Sequence, residues 1–392
     1  MPENRPSRPT ATWFAGITPR DAGGVAAAVA ELLQAAVDSR ASDLHLLPTQ
    51  AGLEISWRLD GVMQSLGTWP AGVAANVIGR LKVLAELLTY RTDLPQEGRL
   101  RTGTTSVEMR LSTFPTLHGE KGVIRLFIGA GAYQTLDDLG LPPAIRQQLR
   151  RQLEETTGCL VFAGPAGSGK TTSAYACLRE ILRFRQSGKS IATLEDPIEA
   201  EIAGVSQSQV NRPKEFTYGL GLRSLMRQDP DVILVGEIRD RETAETVFQA
   251  SLTGHLVLTT LHAGSAAQGV TRLRDLGVEP YLLRAGLRGI LCQRLLRQIC
   301  NCRRASPSSP GCEACWHTGY FGRFLISELM APELLPESLA ELGVLSADLL
   351  QQRAQAAGMV PLRQGAALEV AAGRTTAAEV LRVLGTGAAE EN

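Results

Sequence analysis

At 392 residues, with 44% hydrophobic and 20% charged side chains, the chain has the make-up of an ordinary water-soluble protein of two or three domains. Forty basic residues balance forty acidic ones, so no overall field draws it to nucleic acid or anionic lipid, although a local basic channel fits inside a neutral total. No stretch approaches the roughly 20 apolar residues of a membrane span, and Met1 to Thr12 has no apolar signal core, which makes the cytoplasm the expected location.

Residues 1–20 read as a flexible leader. Val25 to Ser39 carries Ala, Leu and Val at helical spacing. Leu44–Leu46, Leu53–Leu59 and Val62–Leu66 alternate as strands, with Asp60-Gly61 as a hairpin signal. A helix is expected over Val73–Leu88 and further strands near Thr105–Ser112 and Gly122–Ile128. This mixture predicts an α+β domain over 21–130, closed by the glycine-rich break Gly129-Ala130-Gly131-Ala132.

From 131 to 392 apolar strand-like runs alternate with helical segments, the pattern of an α/β fold with a parallel sheet. The runs are Cys159–Ala163, Ser190–Leu194, Val232–Val235 and Leu256–Thr259. Residues 300–320 read as loop, and 338–384 as small helices split at Gly358–Pro361 and Gly373–Thr375.

After the first run comes Gly164-Pro165-Ala166-Gly167-Ser168-Gly169-Lys170-Thr171, then a helix opening at Thr172. Strand, glycine loop and helix in this order form a phosphate-binding loop: its N–H groups and the helix N-terminus wrap a polyphosphate. Lys170 reaches the β- and γ-phosphates and the Thr171 hydroxyl ligates Mg²⁺, so the expected ligands are ATP and Mg²⁺. The run Val232–Val235 ends in Gly236-Glu237, where a carboxylate holds the nucleotide's metal or its water. The run Ser190–Leu194 ends in Glu195-Asp196-Pro197-Ile198-Glu199, where a carboxylate can polarise the attacking water. His255 and His262 bracket the fourth run, and His262, at its outgoing end, is placed to sense the γ-phosphate. Arg223 and Arg227, four apart, share a face if helical and offer two cations to the transferring phosphate. For each of these the plain alternative is a solvated surface charge or a satisfied core histidine.

Cys159, Cys177 and Cys292 stand alone in apolar runs and read as small buried residues. Cys300-Asn301-Cys302 and Cys312-Glu313-Ala314-Cys315 instead supply two thiol pairs, the expected ligand set of a structural Zn²⁺ in a reducing compartment. The first pair has one intervening residue where two are usual, which tightens joint binding; His317 is a substitute ligand, and a metal-free loop is the alternative.

Taken in order, these segments resemble the secretion ATPase superfamily of type II secretion, type IV pili and DNA uptake. The acidic box Glu195–Glu199, Leu222–Asp231, Val235–Asp240 and the histidine box 253–262 carry the likeness in the second domain. In the first it rests on Ala41–His45, Arg58–Gly61, Arg80–Val83, Leu94–Arg99, Arg110–Thr113 and Pro115–Lys121. The resemblance covers about residues 25–385. It implies a RecA-like ATPase domain preceded by a smaller PAS-like domain, a homo-hexameric ring, and nucleotide between the two domains of a subunit. It also implies Glu195 as base, Glu237 as metal carboxylate, and Arg99 and Arg110 as arginine fingers. The cysteine element and the tail Gly358–Arg363 with Thr375–Leu381 resemble assembly and secretion motors, whereas retraction motors lack the cysteines. The implied work is ATP-driven movement of an inner-membrane platform protein, with no direct nucleic-acid contact. A retraction motor and a RecA-like nucleic-acid motor are the rival readings. The larger members' additional N-terminal docking domain is not recognisable in the sequence.

Overall fold

The computed structural model describes residues 11–101, 107–127, 133–184, 188–211, 214–306 and 311–386. The glycine-rich break at 129–132, residues 1–10 of the leader and the start of the strand expected at Thr105 lie outside them; beyond residue 10 the leader is not flexible but forms the helix Ala11–Gly16, with Phe14 and Ile17 buried in the first unit's core. The chain forms two compact units, Met1–Gly129 with Ile299–Gly322, and Ala130–Gln298 with Arg323–Asn392.

The first unit is a six-stranded sheet in the order β3-β2-β1-β6-β5-β4. Its strands are β1 (Asp43–Thr49), β2 (Gly52–Leu59), β3 (Val62–Trp69), β4 (Gln96–Leu100), β5 (Met109–Thr116) and β6 (Gly119–Leu126). Every paired neighbour is antiparallel. Asp60 and Gly61, at φ 47° and 82°, make the expected tight turn between β2 and β3. Alternation buries Leu44, Leu46, Ile55, Trp57 and Ile124 in one core with Val29 and Leu32 of the helix Val25–Asp38 and Val77, Ile78 and Leu81 of the helix Ala74–Leu84. That second helix is shorter than expected, because Glu86 turns to φ 57° just beyond it.

A charge sits inside this unit. Lys82 is fully buried; its ammonium lies 2.5 Å from Glu120 Oε1 and donates to the Arg91 carbonyl at 2.7 Å. The lysine thereby fixes the connection ahead of β4, which Gln96 also ties down by donating to the Leu88 and Arg91 carbonyls.

The second unit is a seven-stranded sheet in the order β13-β12-β7-β11-β10-β8-β9. Its strands are β7 (Gly158–Ala163), β8 (Ile191–Glu195), β9 (Ser206–Gln209), β10 (Val232–Val235), β11 (Leu256–Leu261), β12 (Leu287–Ile299) and β13 (Tyr320–Met330). From β12 through β9 every pairing is parallel. Leu160, Phe162, Leu234 and Leu258 face the helices Pro143–Glu154 and Lys170–Phe184. Val161, Ile233, Val235 and Val257 face Arg241–Leu252 and Ala266–Asp275 on the other side. Helices on both faces of a mostly parallel sheet make this an α/β unit of the doubly wound kind. The tail forms the short helices Leu339–Val344, Ala347–Ala356, Leu362–Ala371 and Ala377–Leu384.

The cysteine segment differs from the sequence reading in where it belongs. It was expected inside the ATPase domain, yet Ile299–Gly322 groups with the first unit. Trp316 packs at a tilt against Trp57 with ring centroids 4.8 Å apart, and the Gly322 N–H donates to Asp60 Oδ2 at 3.0 Å. The first unit therefore takes its core partly from the connection between β12 and β13.

All four tryptophans (Trp13, Trp57, Trp69 and Trp316) lie in the first unit, so their fluorescence reports its unfolding alone. Lys82→Met strands the Glu120 carboxylate, and we expect the tryptophan-detected urea transition of the full chain to lose about 3 kcal/mol. An unchanged midpoint and slope would show that the buried pair contributes nothing.

Candidate functional site

The site gathers at the carboxyl ends of β7, β8, β10 and β11, the edge of a parallel sheet where open α/β folds bind ligands. β7 ends at Ala163, and residues 164–169 turn the chain into the helix Lys170–Phe184. Gly164 shows why the loop needs glycine. At φ 150° a Cβ there would lie 2.4 Å from Ser168 Oγ and 2.7 Å from the Gln293 carbonyl oxygen. Gln293 on β12 braces the loop, its side-chain amide donating to the Ser168 carbonyl at 2.9 Å. The buried Ser168 hydroxyl has no protein partner.

Lys170 is buried, and its ammonium donates to the carbonyls of Gly164 and Pro165, both at 2.9 Å. Burial pulls its pKa down while the Glu237 carboxylate nearby pushes it back up. Glu237 follows β10 and lies mostly inside the protein, paired with Arg239 and 3.7 Å from His262 Nε2. Burial and the Lys170 charge both lower the pKa of His262, which favours neutral imidazole at neutral pH. Thr260 Oγ1 holds the turn by donating to the Gly236 carbonyl at 2.6 Å. Lys170, Glu237 and His262 thus lie together. His255 does not join them: it stands before β11, at the strand's other end, against the Ala250 carbonyl at 3.0 Å.

The acidic box is arranged differently from expectation. Glu195 is 2% exposed and accepts from the Tyr175 hydroxyl, from Thr193 Oγ1 at 2.6 Å and from Gln207 Nε2 at 3.2 Å. Three donors fill most of the roughly four lone-pair positions of a carboxylate, which leaves it poorly placed to take a proton from water. The box residue that reaches the phosphate loop is Glu199, whose Oε1 accepts from Thr171 Oγ1 at 3.4 Å. Tyr175 connects the two glutamates, since its hydroxyl donates to Glu195 and accepts from the Glu199 N–H at 3.3 Å. Burial and the Glu195 charge drive the Tyr175 pKa far up, so the phenol keeps its proton.

The expected arginine face is also absent. The helix Tyr218–Leu225 ends before Arg227, which donates to Ser224 Oγ at 3.4 Å, while Arg223 pairs with Glu242. Arg99 and Arg110 belong to the first unit, where they are cross-strand neighbours on β4 and β5. Arg99 lies 3.3 Å from Glu108, and Arg110 lies 3.8 Å from Glu97 with its guanidinium near the Phe127 ring.

Tyr175, Gln293 and Arg294 carry no role in the sequence reading, and Glu199 enters it only as the last residue of the acidic box. Arg294 is buried on β12 and donates to the Gly264 carbonyl at 2.7 Å and the Gln293 carbonyl at 2.9 Å. A readable signal existed: glutamine and arginine together interrupt an otherwise apolar stretch of β12, and buried polar groups require partners.

The oxygen donors Thr171 and Glu237 suit Mg²⁺ beside a bound nucleotide. The four thiols also satisfy a metal's demands. Their sulfurs all lie within 4.8 Å of one another, and Cys300–Cys312, Cys302–Cys315 and Cys312–Cys315 are each 3.8 Å apart. A zinc tetrahedron with Zn–S bonds of about 2.3 Å has edges of about 3.8 Å. The one-residue spacing of the first pair is accommodated because the helix Asn301–Ala305 opens directly after Cys300. His317 is not part of the cluster. Cys159, Cys177 and Cys292 are buried, as expected, and burial raises the pKa of each.

A glycine loop braced at the edge of a parallel sheet, with a buried lysine and a metal-suited carboxylate beside it, defines a P-loop ATPase. The chain belongs to the Type II/IV secretion system protein family, whose profile matches residues 19–382. The type II secretion system protein HxcR of Pseudomonas aeruginosa is 40% identical over 370 residues, spanning 93% of this chain and 78% of that protein. The type IV pilus assembly ATPase PilB of Thermus thermophilus is 37% identical over 378 residues, spanning 90% of this chain and 42% of its own length. The crystal structure of the pilus retraction motor PilT with bound ADP superposes with a TM-score of 0.63 at 25% identity, covering 90% of this chain and 96% of that one. No helix among the described residues is long and apolar enough to cross a membrane.

The crowding at Gly164 gives a direct check on the loop. We expect Gly164→Ala to weaken binding of a fluorescent ADP analogue at least about tenfold while leaving far-UV circular dichroism unchanged. Undiminished affinity would mean that this backbone does not shape the phosphate site.

Proposed function

We propose that the chain is the hexameric ATP-hydrolysing motor of a type IV pilus assembly or type II secretion machine. In this reading it works at the cytoplasmic face of the inner membrane and moves a platform protein that feeds subunits into a filament. The observation that carries the enzymatic part is the convergence of Lys170, Glu237 and His262 beside the phosphate loop. Names of relatives such as HxcR and PilB support the machine assigned.

The loop N–H groups of Gly164–Thr171 and the start of the following helix at Thr172 hold the polyphosphate, and the Lys170 ammonium turns from its carbonyl partners toward the β- and γ-oxygens. Thr171 and Glu237 would hold Mg²⁺, which would supply charge neutralisation along the phosphates. Glu199, next to Thr171, accepts the proton of the attacking water, a role that Glu195 is too enclosed to fill. Glu195 instead fixes Tyr175, which orients the Glu199 backbone. Neutral His262 donates its ring N–H to a γ-phosphate oxygen and so registers its departure. Arg99 and Arg110 serve as fingers from the first unit, exchanging their carboxylate partners for phosphate oxygens. Arg223 and Arg227 supply further positive charge on release from Glu242 and Ser224.

The four-thiol cluster is proposed to hold a structural zinc that keeps Ile299–Gly322 folded within the first unit. It also favours the assembly reading over retraction, because the cysteine element resembles that of assembly and secretion motors.

Two measurements follow. Glu199→Gln is expected to lower kcat about 100-fold or more with ADP affinity nearly intact, whereas Glu195→Gln acts mainly by lowering the melting temperature. The reverse pattern would return the base to Glu195. Metal analysis of the purified chain should find about one zinc per chain, lost in Cys302→Ser together with a change in tryptophan emission from Trp316. Metal-free protein with the wild-type emission spectrum would remove zinc from the account.

A further inference from the structure

β13 carries one carboxylate within the apolar run Phe324–Met330: Glu328, 1% exposed. Its two oxygens serve different parts of the ATPase unit. Oε1 accepts from the Ala266 N–H at 2.7 Å. Oε2 accepts from the Leu362 N–H at 2.9 Å and from Gln351 Nε2 at 3.2 Å. Ala266 and Leu362 are the first residues of the helices Ala266–Asp275 and Leu362–Ala371, so the carboxylate caps two helix N-termini at once. Their N–H groups lack intrahelical acceptors, and both helix dipoles favour a negative charge there.

The Ala266 side leads to the nucleotide site. Only three residues separate Ala266 from His262, and that stretch is held tightly. The Gly264 carbonyl accepts from Arg294 Nη2 at 2.7 Å, and Ser265 Oγ caps the helix by accepting from the Gln268 N–H at 3.1 Å. The other oxygen leads away from the site, to the helix Ala347–Ala356 through Gln351 and to the helix Leu362–Ala371 through Leu362. A shift of the histidine segment therefore pulls on the same carboxylate that anchors the C-terminal helices.

We propose that Glu328 is a positioning residue that couples the C-terminal helices to His262, so that loss of the γ-phosphate is felt in the tail and the tail's placement tunes hydrolysis. The proposal rests on the reading of His262 as the γ-phosphate sensor. Glu328 touches no substrate; it acts through the segment it holds. Glutamine is the informative replacement. Its amide keeps the size but has a single acceptor oxygen; that oxygen stays with the Ala266 N–H, and the NH₂ group faces the tail, where the buried Gln351 Oε1 can accept from it while the Leu362 N–H loses its acceptor.

The test combines kinetics with hydrogen exchange on the full chain, using Mg²⁺ and a non-hydrolysable ATP analogue. In the wild type, the analogue should slow exchange both in 262–270 and in 360–371. In Glu328→Gln the first response should persist and the second vanish; a tail response equal to the wild type's overturns the coupling. In steady state, Glu328→Gln should lower kcat about tenfold with the KM for ATP within about twofold, and should add nothing in a His262→Asn background. Additive losses would make Glu328 a merely structural residue. If His262→Asn alone leaves kcat unchanged, the sensor reading itself fails, and the proposal with it. Should Glu328→Gln not fold, Gln351→Leu removes a tail-side donor and leaves the Ala266 bond in place. It should diminish the 360–371 response, and an undiminished response there also overturns the proposal.

Discussion

A lysine ammonium held out of water by two carbonyls of its own loop, with a carboxylate close by, is stable only while the backbone around it stays in place. Lys170 is in that position, and the rest of the ATPase unit is organised to keep Gly164–Gly169 where the ammonium needs them. β7 launches the loop, β12 braces it through Gln293, and the following helix offers its N-terminus. Polyphosphate binding then replaces the ammonium's bonds to neutral carbonyls with ion pairs to phosphate oxygens, so the site is prepared for its ligand rather than formed by it.

Polar groups buried around this centre form chains, each connecting one segment of the candidate site to a second element. Tyr175 connects Glu195 to the Glu199 backbone. Arg294 ties β12 to the turn after His262, and Glu328 ties that turn's helix to the tail. Buried polar groups are costly unless every partner is present, which makes such contacts switch-like: they hold in one arrangement and must break together to reach another. The first unit is built by the same logic around Lys82 and Glu120, and it draws on the β12–β13 connection to complete its core at Trp316. An ATPase strand pair thus contributes structure to both units.

Much of this was legible in the sequence, for reasons that differ by element. β7, β8, β10 and β11 are continuous apolar runs because helices cover both faces of the sheet, and such runs stand out. Asp60-Gly61 marks its hairpin because few other pairs tolerate two positive φ values. β4 and β9 escaped notice: they are short edge strands rich in polar residues, and their pairing is set by neighbours distant in sequence. β12 hid because Gln293, Arg294 and Arg297 interrupt its apolar pattern, each held by a tertiary partner that no local rule reveals. The acidic box shows the same limit within the site. Sequence placed Glu195 at a strand end, but only the fold shows that Tyr175, Thr193 and Gln207 enclose it and that Glu199 faces Thr171. The shared helical face of Arg223 and Arg227 is missing for a simpler reason, since the helix stops at Leu225, before Arg227.

The central claim is that ATP is hydrolysed at the phosphate loop through Lys170. Phosphate release from ATP in the presence of Mg²⁺, measured for the wild type and Lys170→Ala at matched protein concentration, tests it most directly. The account predicts a rate at least about 100-fold lower in the variant, with the fold retained. Equal rates in the two proteins would place the chemistry elsewhere and contradict the account.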